Sequence, residues 1–110
     1  MHSETRPASA FRKYLPADYR KKTVSVALDV QSHAASVNSY WDGGSRSDYT
    51  LFPAAGGCVD ASRSPGFPKF ENQTVQLNPG DVLVRTGVFC GKPATAHIMF
   101  IGEAKAEVAS

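Results

Sequence analysis

The ten residues KTVSVALDVQ, Lys22–Gln31, decide how the rest of the chain is read. Val24, Val26, Leu28 and Val30 recur at every second position, with Thr23, Ser25, Ala27 and Asp29 between them. A period of two is the repeat of a pleated strand, whose successive side chains point to opposite faces, and it predicts a half-buried strand here. No window of ten or more residues carries the repeat of an amphipathic helix.

Working outward toward the C-terminus, VLVRTGVFCGKPATAHIMFI (Val82–Ile101) reads as two strands joined at Gly91-Lys92. That register sets Leu83 opposite Phe100, Arg85 opposite Ile98, Thr86 opposite His97 and Val88 opposite Thr95. Both faces are largely apolar, which predicts central strands covered on two sides. NPGD (Asn78–Asp81) places Pro79 and Gly80 at the second and third positions of a type II turn. QTVQL before it reads as a short strand.

Between these lies SYWDGGSRSDY, Ser39–Tyr49. Asp-Gly-Gly-Ser supplies the positive φ that tight hairpins require. With Gly43-Gly44 as the loop, Trp41 faces Arg46, Ser39 faces Asp48 and Val37 faces Thr50, while Tyr40 and Tyr49 form a diagonal pair on the other face. Trp41 over Arg46 suits a cation–π contact, and a Trp near a loop end is also a common contact residue. SHAAS (residues 32–36) reads as a loop. The strand after the hairpin stops at Pro53. Residues 54–71 carry Gly56, Gly57, Pro65-Gly66 and Pro68, which leaves no room for an element, with Phe67 and Phe70 pinning the loop to the core.

The expected fold is therefore all-β: a small antiparallel sandwich or barrel, jelly-roll-like, of five to seven short strands with little helix. Residues 1–22 read as a basic arm, 23–103 as the β domain and 104–110 as a tail. Residues 1–10 look disordered, Pro16-Ala-Asp opens at most one helical turn, and Phe11, Tyr14, Leu15 and Tyr19 suggest that the arm docks on the body.

The chain has 110 residues and a net charge of +2, enough for one domain with a modest core. The charge is uneven. Residues 1–24 hold six cations against two carboxylates, and the remainder six against eight. A basic arm before a slightly acidic body can meet nucleic acid, an anionic surface or an acidic protein. The first residues lack the apolar core of a secretory signal, and no run is long enough for a membrane span, so the expectation is an intracellular chain, free of membrane, with Cys58 and Cys90 as thiols.

Candidate chemistry is sparse. Cys90 and His97 lie too far apart along the last hairpin to form a thiolate–imidazole pair, and read instead as a buried thiol and a core-edge histidine. His33, Cys58, Cys90 and His97 show no metal-ligand spacing, and the Gly-Gly pairs lack the Lys-Ser/Thr of a phosphate loop. No metal or cofactor is expected.

NPGDVLV followed by AHIMFIGE resembles a segment of the papain-like cell-wall peptidases, with Pro79, Gly80, Asp81 and His97 at the matching positions. The resemblance covers about a quarter of the chain. It implies a nucleophilic cysteine opening a helix upstream, and Cys58 sits among glycines with no helical pattern after it. The same turn is frequent in cupin-like jelly rolls, whose metal-binding histidine pair is absent. The turn reads as structural.

The expected function is a non-enzymatic binding or assembly module acting through protein–protein contacts, with a protein partner or a second copy of the chain. Its contact surface is Tyr40, Trp41, Arg46 and Tyr49 of the hairpin with Arg12, Lys13, Arg20, Lys21 and Lys22 of the arm, beside the 54–71 loop. One alternative is a nucleic-acid-binding barrel, because cations interleaved with Phe11, Tyr14 and Tyr19 match the parts of single-strand binders. A second is a small Cys/His hydrolase.

Overall fold

In a computed structural model, the backbone of residues 2–42, 45–62 and 69–102 is described, and within these the side chains of residues 2, 38–42, 60–62 and 69–73 are left aside. The strands are β1 (His2–Pro7), β2 (Thr23–Val30), β3 (Ala34–Asp42), β4 (Ser45–Phe52), β5 (Val59–Ser62), β6 (Lys69–Gln76), β7 (Val82–Phe89) and β8 (Lys92–Ile101), with a short 3-10 segment at Ala8–Tyr14. The all-β expectation holds. The strand path is β1-β2-β8-β7-β4-β3-β6, with β5 paired to β4.

One pair is not antiparallel. β2 runs parallel to β8, through Ser25 opposite His97 and Val26 opposite Ile98. The sheet is thus mixed, and its centre joins the second strand to the last.

β2 is not half-buried. Val24 and Val26 pack on one face, and Ala27 is fully buried on the other. The ladder to β8 shifts between Ala27 and Val30, where Asp29 takes the left-handed conformation (φ 56°). This bulge turns Val30 from the Val24–Val26 face, where strict alternation places it, to the opposite core.

The predicted register of the last hairpin is off by one. Its two-residue loop is Cys90-Gly91, both with positive φ (52° and 79°), closed by Phe89 opposite Lys92. Positive φ at both central residues is the signature of a type I′ turn. Val84 therefore meets Ile98, Arg85 meets His97 and Thr86 meets Ala96. One residue of slip reassigns every cross-strand pair. A bulge between Gly87 and Val88 brings Pro93, rather than Ala94, opposite Val88. Proline lacks the ladder N–H and fits at such an irregularity.

The first hairpin closes as expected, with Trp41 opposite Arg46 and Asp42 opposite Ser45; Gly43-Gly44 lie outside the described residues. Beyond that tip the two strands part. β3 pairs along its length with β6, from Trp41–Lys69 to Ala34–Gln76, and Thr50 faces Asp60 of β5 instead of Val37. Ala34–Ser36 belong to β3, not to a loop. The region expected to lack elements holds β5 and the start of β6. Phe67 lies outside the described residues, and Phe70 is placed by its backbone alone, opposite Tyr40.

Two cores result. On one face Val24, Val26, Val82, Val84, Ala96, Ile98 and Phe100 are covered by Ala8, Phe11 and Tyr19 of the N-terminal segment. On the other, Ala27, Val30, Leu83 and Ile101 are covered by Val37 of β3 and Leu77, just past β6. Phe11 is 2% exposed and Tyr19 4%, and the Tyr19 hydroxyl donates to the Thr23 carbonyl at 2.8 Å. The expected docking of the arm is thus realised, but residues 2–10, expected to be disordered, form β1 and the start of the 3-10 segment. His2–Pro7 pair in full with β2, and the Ala8 N–H donates to the Lys22 carbonyl at 2.8 Å. An edge of unpaired peptide groups on β2 is what recruits them.

Asn78–Asp81 form the expected type II turn, with Gly80 at φ 94° and the Asp81 N–H donating to the Asn78 carbonyl at 3.0 Å. Asp81, 4% exposed, does more. Its carboxylate accepts from the Ala54 N–H at 3.0 Å and the Asn78 N–H at 2.9 Å, and its carbonyl accepts from the Ile101 N–H at 2.9 Å. Three chain segments meet on one residue. Asp81→Ala orphans two of these amide donors and is expected to lower stability by about 2–3 kcal/mol, read as a fall in the urea midpoint at unchanged m-value.

Candidate functional site

Antiparallel pairing fixes which side chains share a face. Arg46 sits opposite Val88, Asp48 opposite Thr86, Thr50 opposite Val84 and Phe52 opposite Val82. These positions of β4 and β7 point to the face on which the N-terminal segment lies. That segment covers only part of it. Tyr14 packs edge-on against Phe52 (centroids 5.0 Å apart, rings at 90°) and against Phe100 (5.7 Å, 89°), and Tyr19 folds back through a turn in which its N–H donates to the Pro16 carbonyl at 3.1 Å. Beside Tyr14 the strands are left open, and a cleft of about 400 Å³ remains.

Four segments line it: Tyr14, Leu15, Pro16 and Asp18 from the arm; Arg46, Asp48, Thr50 and Phe52 from β4; Thr86, Val88, Gly91 and Pro93 from the last hairpin; and Cys58 from the loop before β5. Its floor is polar. Arg46 Nε donates to both Asp48 oxygens, at 3.1 and 3.2 Å. Asp48 is 7% exposed and Thr86 equally buried. Around this floor, Tyr14, Leu15, Pro16, Phe52, Val88 and Pro93 give apolar lining, and Asp18 and Thr50 add polar groups.

Of the expected contact residues whose side chains are described, Arg46 alone lines the cleft. Trp41 is its backbone partner in the ladder, and Tyr40 lies opposite Phe70; their side chains are outside the described set. Tyr49 packs into the second core, on the other face from Arg46. Arg12 Nη1 donates to the Tyr19 carbonyl at 3.2 Å, and Lys13 Nζ lies 5.0 Å from the centre of the Tyr14 ring. Arg20, Lys21 and Lys22 are exposed on the return leg of the arm. The aromatics between these cations do not face solvent with them: Phe11 and Tyr19 are buried, and Tyr14 is held by Phe52 and Phe100. The stacking surface that the sequence pattern called for is thus turned inward, because a core lacking a covering helix recruits the nearest large apolar side chains.

The expected buried thiol is also corrected. Cys90 is exposed at the tip of the type I′ turn and Cys58 is exposed in its loop, and both are free thiols. His97 occupies the other face, opposite Arg85 and Ser25, with Nε2 buried and without a hydrogen-bond partner among the described residues. Burial first, and the Arg85 guanidinium second, hold its pKa below the ordinary 6.5. Among the described residues no three of His, Cys, Asp and Glu come together as a metal set, and no helix is long and apolar enough to cross a membrane.

Sequence reasoning passed over Asp48 and Thr86. The signal was present, because Arg46 and Asp48 stand two apart in a strand and so share a face. Comparison with protein-family models, curated proteins and solved structures finds no match for the chain.

Two outcomes follow from these geometries. Arg46→Leu strips the guanidinium from a buried carboxylate and is expected to cost about 1–2 kcal/mol, discounted for the partial exposure of Arg46, measured by urea denaturation at neutral pH. Because folding depresses the His97 pKa, the unfolded chain binds the extra proton. Stability is unaffected above the ordinary imidazole value and falls as pH drops below it, toward the folded pKa. The urea midpoint should therefore decline between about pH 7 and pH 5, and His97→Gln should flatten that decline.

Proposed function

We propose that this chain is a non-enzymatic binding module acting through protein–protein contacts, and that the cleft is where it receives its partner. The observation that carries this reading is the convergence of the arm, the first hairpin and the loop before β5 on one concavity. Binding sites of this kind combine apolar walls with a few fixed polar groups, and the Tyr14, Phe52, Pro16 and Pro93 walls over the Arg46–Asp48 floor have that composition. Asp48 accepts from Arg46 Nε, and a guanidinium carries further N–H donors that suit a ligand's carbonyl or carboxylate oxygens. An extended segment of a protein, from a partner or a second copy of this chain, supplies both such oxygens and apolar side chains.

The nucleic-acid alternative draws on the exposed Arg12, Lys13, Arg20, Lys21 and Lys22 alone. With Phe11 and Tyr19 buried, it would rest on phosphate contacts without base stacking, which favours the protein-binding reading.

Amide resonances separate the two. A dilution series and a titration with peptides selected from a random displayed library should shift Leu15, Arg46, Asp48, Thr86 and Val88 and leave Arg20, Lys21 and Lys22 in place. Shifts confined to the arm cations on adding single-stranded DNA at about 50 mM salt, with a silent cleft in both other arms, would overturn the proposal.

A further inference from the structure

β1 ends the sheet. His2–Pro7 pair with β2 along one side, and among the described residues no strand pairs with the other. The Ala8 N–H donates to the Lys22 carbonyl at 2.8 Å, which continues the β1–β2 register and sets its phase. In an antiparallel ladder successive residues turn their N–H and C=O alternately toward the partner strand and away from it. The peptide groups of Glu4 and Arg6 therefore point to β2, and those of Ser3, Thr5 and Pro7 point out of the sheet. All three of the latter are exposed. Pro7, extended at φ −63° and ψ 133°, stands where its missing N–H costs the fold no ladder bond.

An open edge is a template for another strand, and the sequence of this one is complementary to itself. About a two-fold axis through Thr5, an antiparallel copy sets Thr5 opposite Thr5, Glu4 opposite Arg6 and Ser3 opposite Pro7. The two Thr5 residues then exchange both N–H···O bonds, and each Ser3 N–H donates to a Pro7 carbonyl. Glu4 and Arg6 fall in the intervening pairs, where side chains approach most closely. They share a face, and within one copy Arg6 Nη2 donates to Glu4 Oε2 at 2.6 Å. Across the axis each carboxylate gains a second guanidinium, a favourable cross-strand pairing. A slip of the copy by two residues either way sets Glu4 opposite Glu4 or Arg6 opposite Arg6, so charge selects the register centred on Thr5.

We propose that β1 is a self-association edge, through which two copies of this chain join by antiparallel β1–β1 pairing centred on Thr5. The sheet then runs on from one copy into the next, with an alternating row of Glu4 and Arg6 charges across the seam. The contact is isologous, so it closes on a dimer. Three strands, β2, β8 and β7, separate it from β4, and it involves no residue of the cleft.

Analytical ultracentrifugation of the intact chain from about 10 μM to 1 mM, with amide exchange in parallel, tests it. The expected result is a monomer–dimer equilibrium in which the Ser3 and Thr5 amides gain protection as the dimer forms. Thr5→Pro removes only an outward N–H, so it should keep the β2 ladder and abolish the dimer. Glu4→Arg and Arg6→Glu each set like charges across the axis and should weaken association by about tenfold or more. An equimolar mixture of these two variants, and the double variant, should recover it, because opposite charges face each other again. A chain that stays monomeric, a dimer indifferent to Thr5→Pro, or charge variants that fail to recover on mixing overturns the proposal. So does a Thr5 amide protected in the monomer, which would put another segment of the chain on this edge. Dilution shifts confined to Leu15, Arg46 and Thr86 would overturn the edge pairing while supporting the cleft, so the two readings fail separately.

Discussion

A sheet whose middle strands are apolar on both faces has to be covered twice, and that constraint organises this molecule. β2, β8 and β7 present Val26, Ile98 and Val84 to one side and Ala27, Leu83 and Ile101 to the other. Leaving either face in water would forfeit about 1.5–3 kcal/mol for each large aliphatic side chain exposed. The chain meets the demand with what it has at hand. The N-terminal segment, a leader by composition, supplies Phe11 and Tyr19 to the first face, and the β3–β6 ribbon leaves its hairpin partner to cover the second. The first core is a layer built from a charged stretch whose cations stay at its surface.

The two ends of the sheet are finished differently. At one, the Asp81 carboxylate and the backbone of Ile101 and Gly102 gather the ends of β2, β4 and β8; the Gly102 N–H donates to the Val30 carbonyl at 3.0 Å. A Cβ on Gly102 would lie 2.9 Å from that of Pro79, so the approach of these segments is as close as backbone allows. Toward the other end lie the closures of both hairpins, and the cleft runs along β4 from Phe52 toward them.

Much of this was legible in the residues, and the failures have identifiable causes. Alternation gave the strands of Thr23–Val30 and Val82–Ile101, and glycine chemistry gave the Trp41–Arg46 closure and the Asn78–Asp81 turn. Alternation cannot see a bulge, so Val30 was assigned to the face it would occupy without the left-handed Asp29. It cannot weigh a cysteine in a left-handed turn either, which is why the loop of the last hairpin was placed one residue late and its pairs mismatched. Pairing of β2 with β8, and of β3 with β6, is decided by contacts between distant segments that no local pattern encodes. For the site, Arg46 was found because it neighbours a turn, whereas Asp48 and Thr86 acquire meaning only once β4 lies beside β7.

The parallel pairing of β2 with β8 also has a kinetic consequence. Ser25 pairs in a ladder with a strand that ends at Ile101, so the centre of the sheet cannot close until the residues through Ile101 are available. Until then β2 lacks its partner along one edge and Ala27 lacks the cover of Val37 and Leu77. Contacts this distant in sequence slow the search for the native state, which makes the last hairpin, made late and local in its own pairing, the natural nucleus onto which the first strands condense.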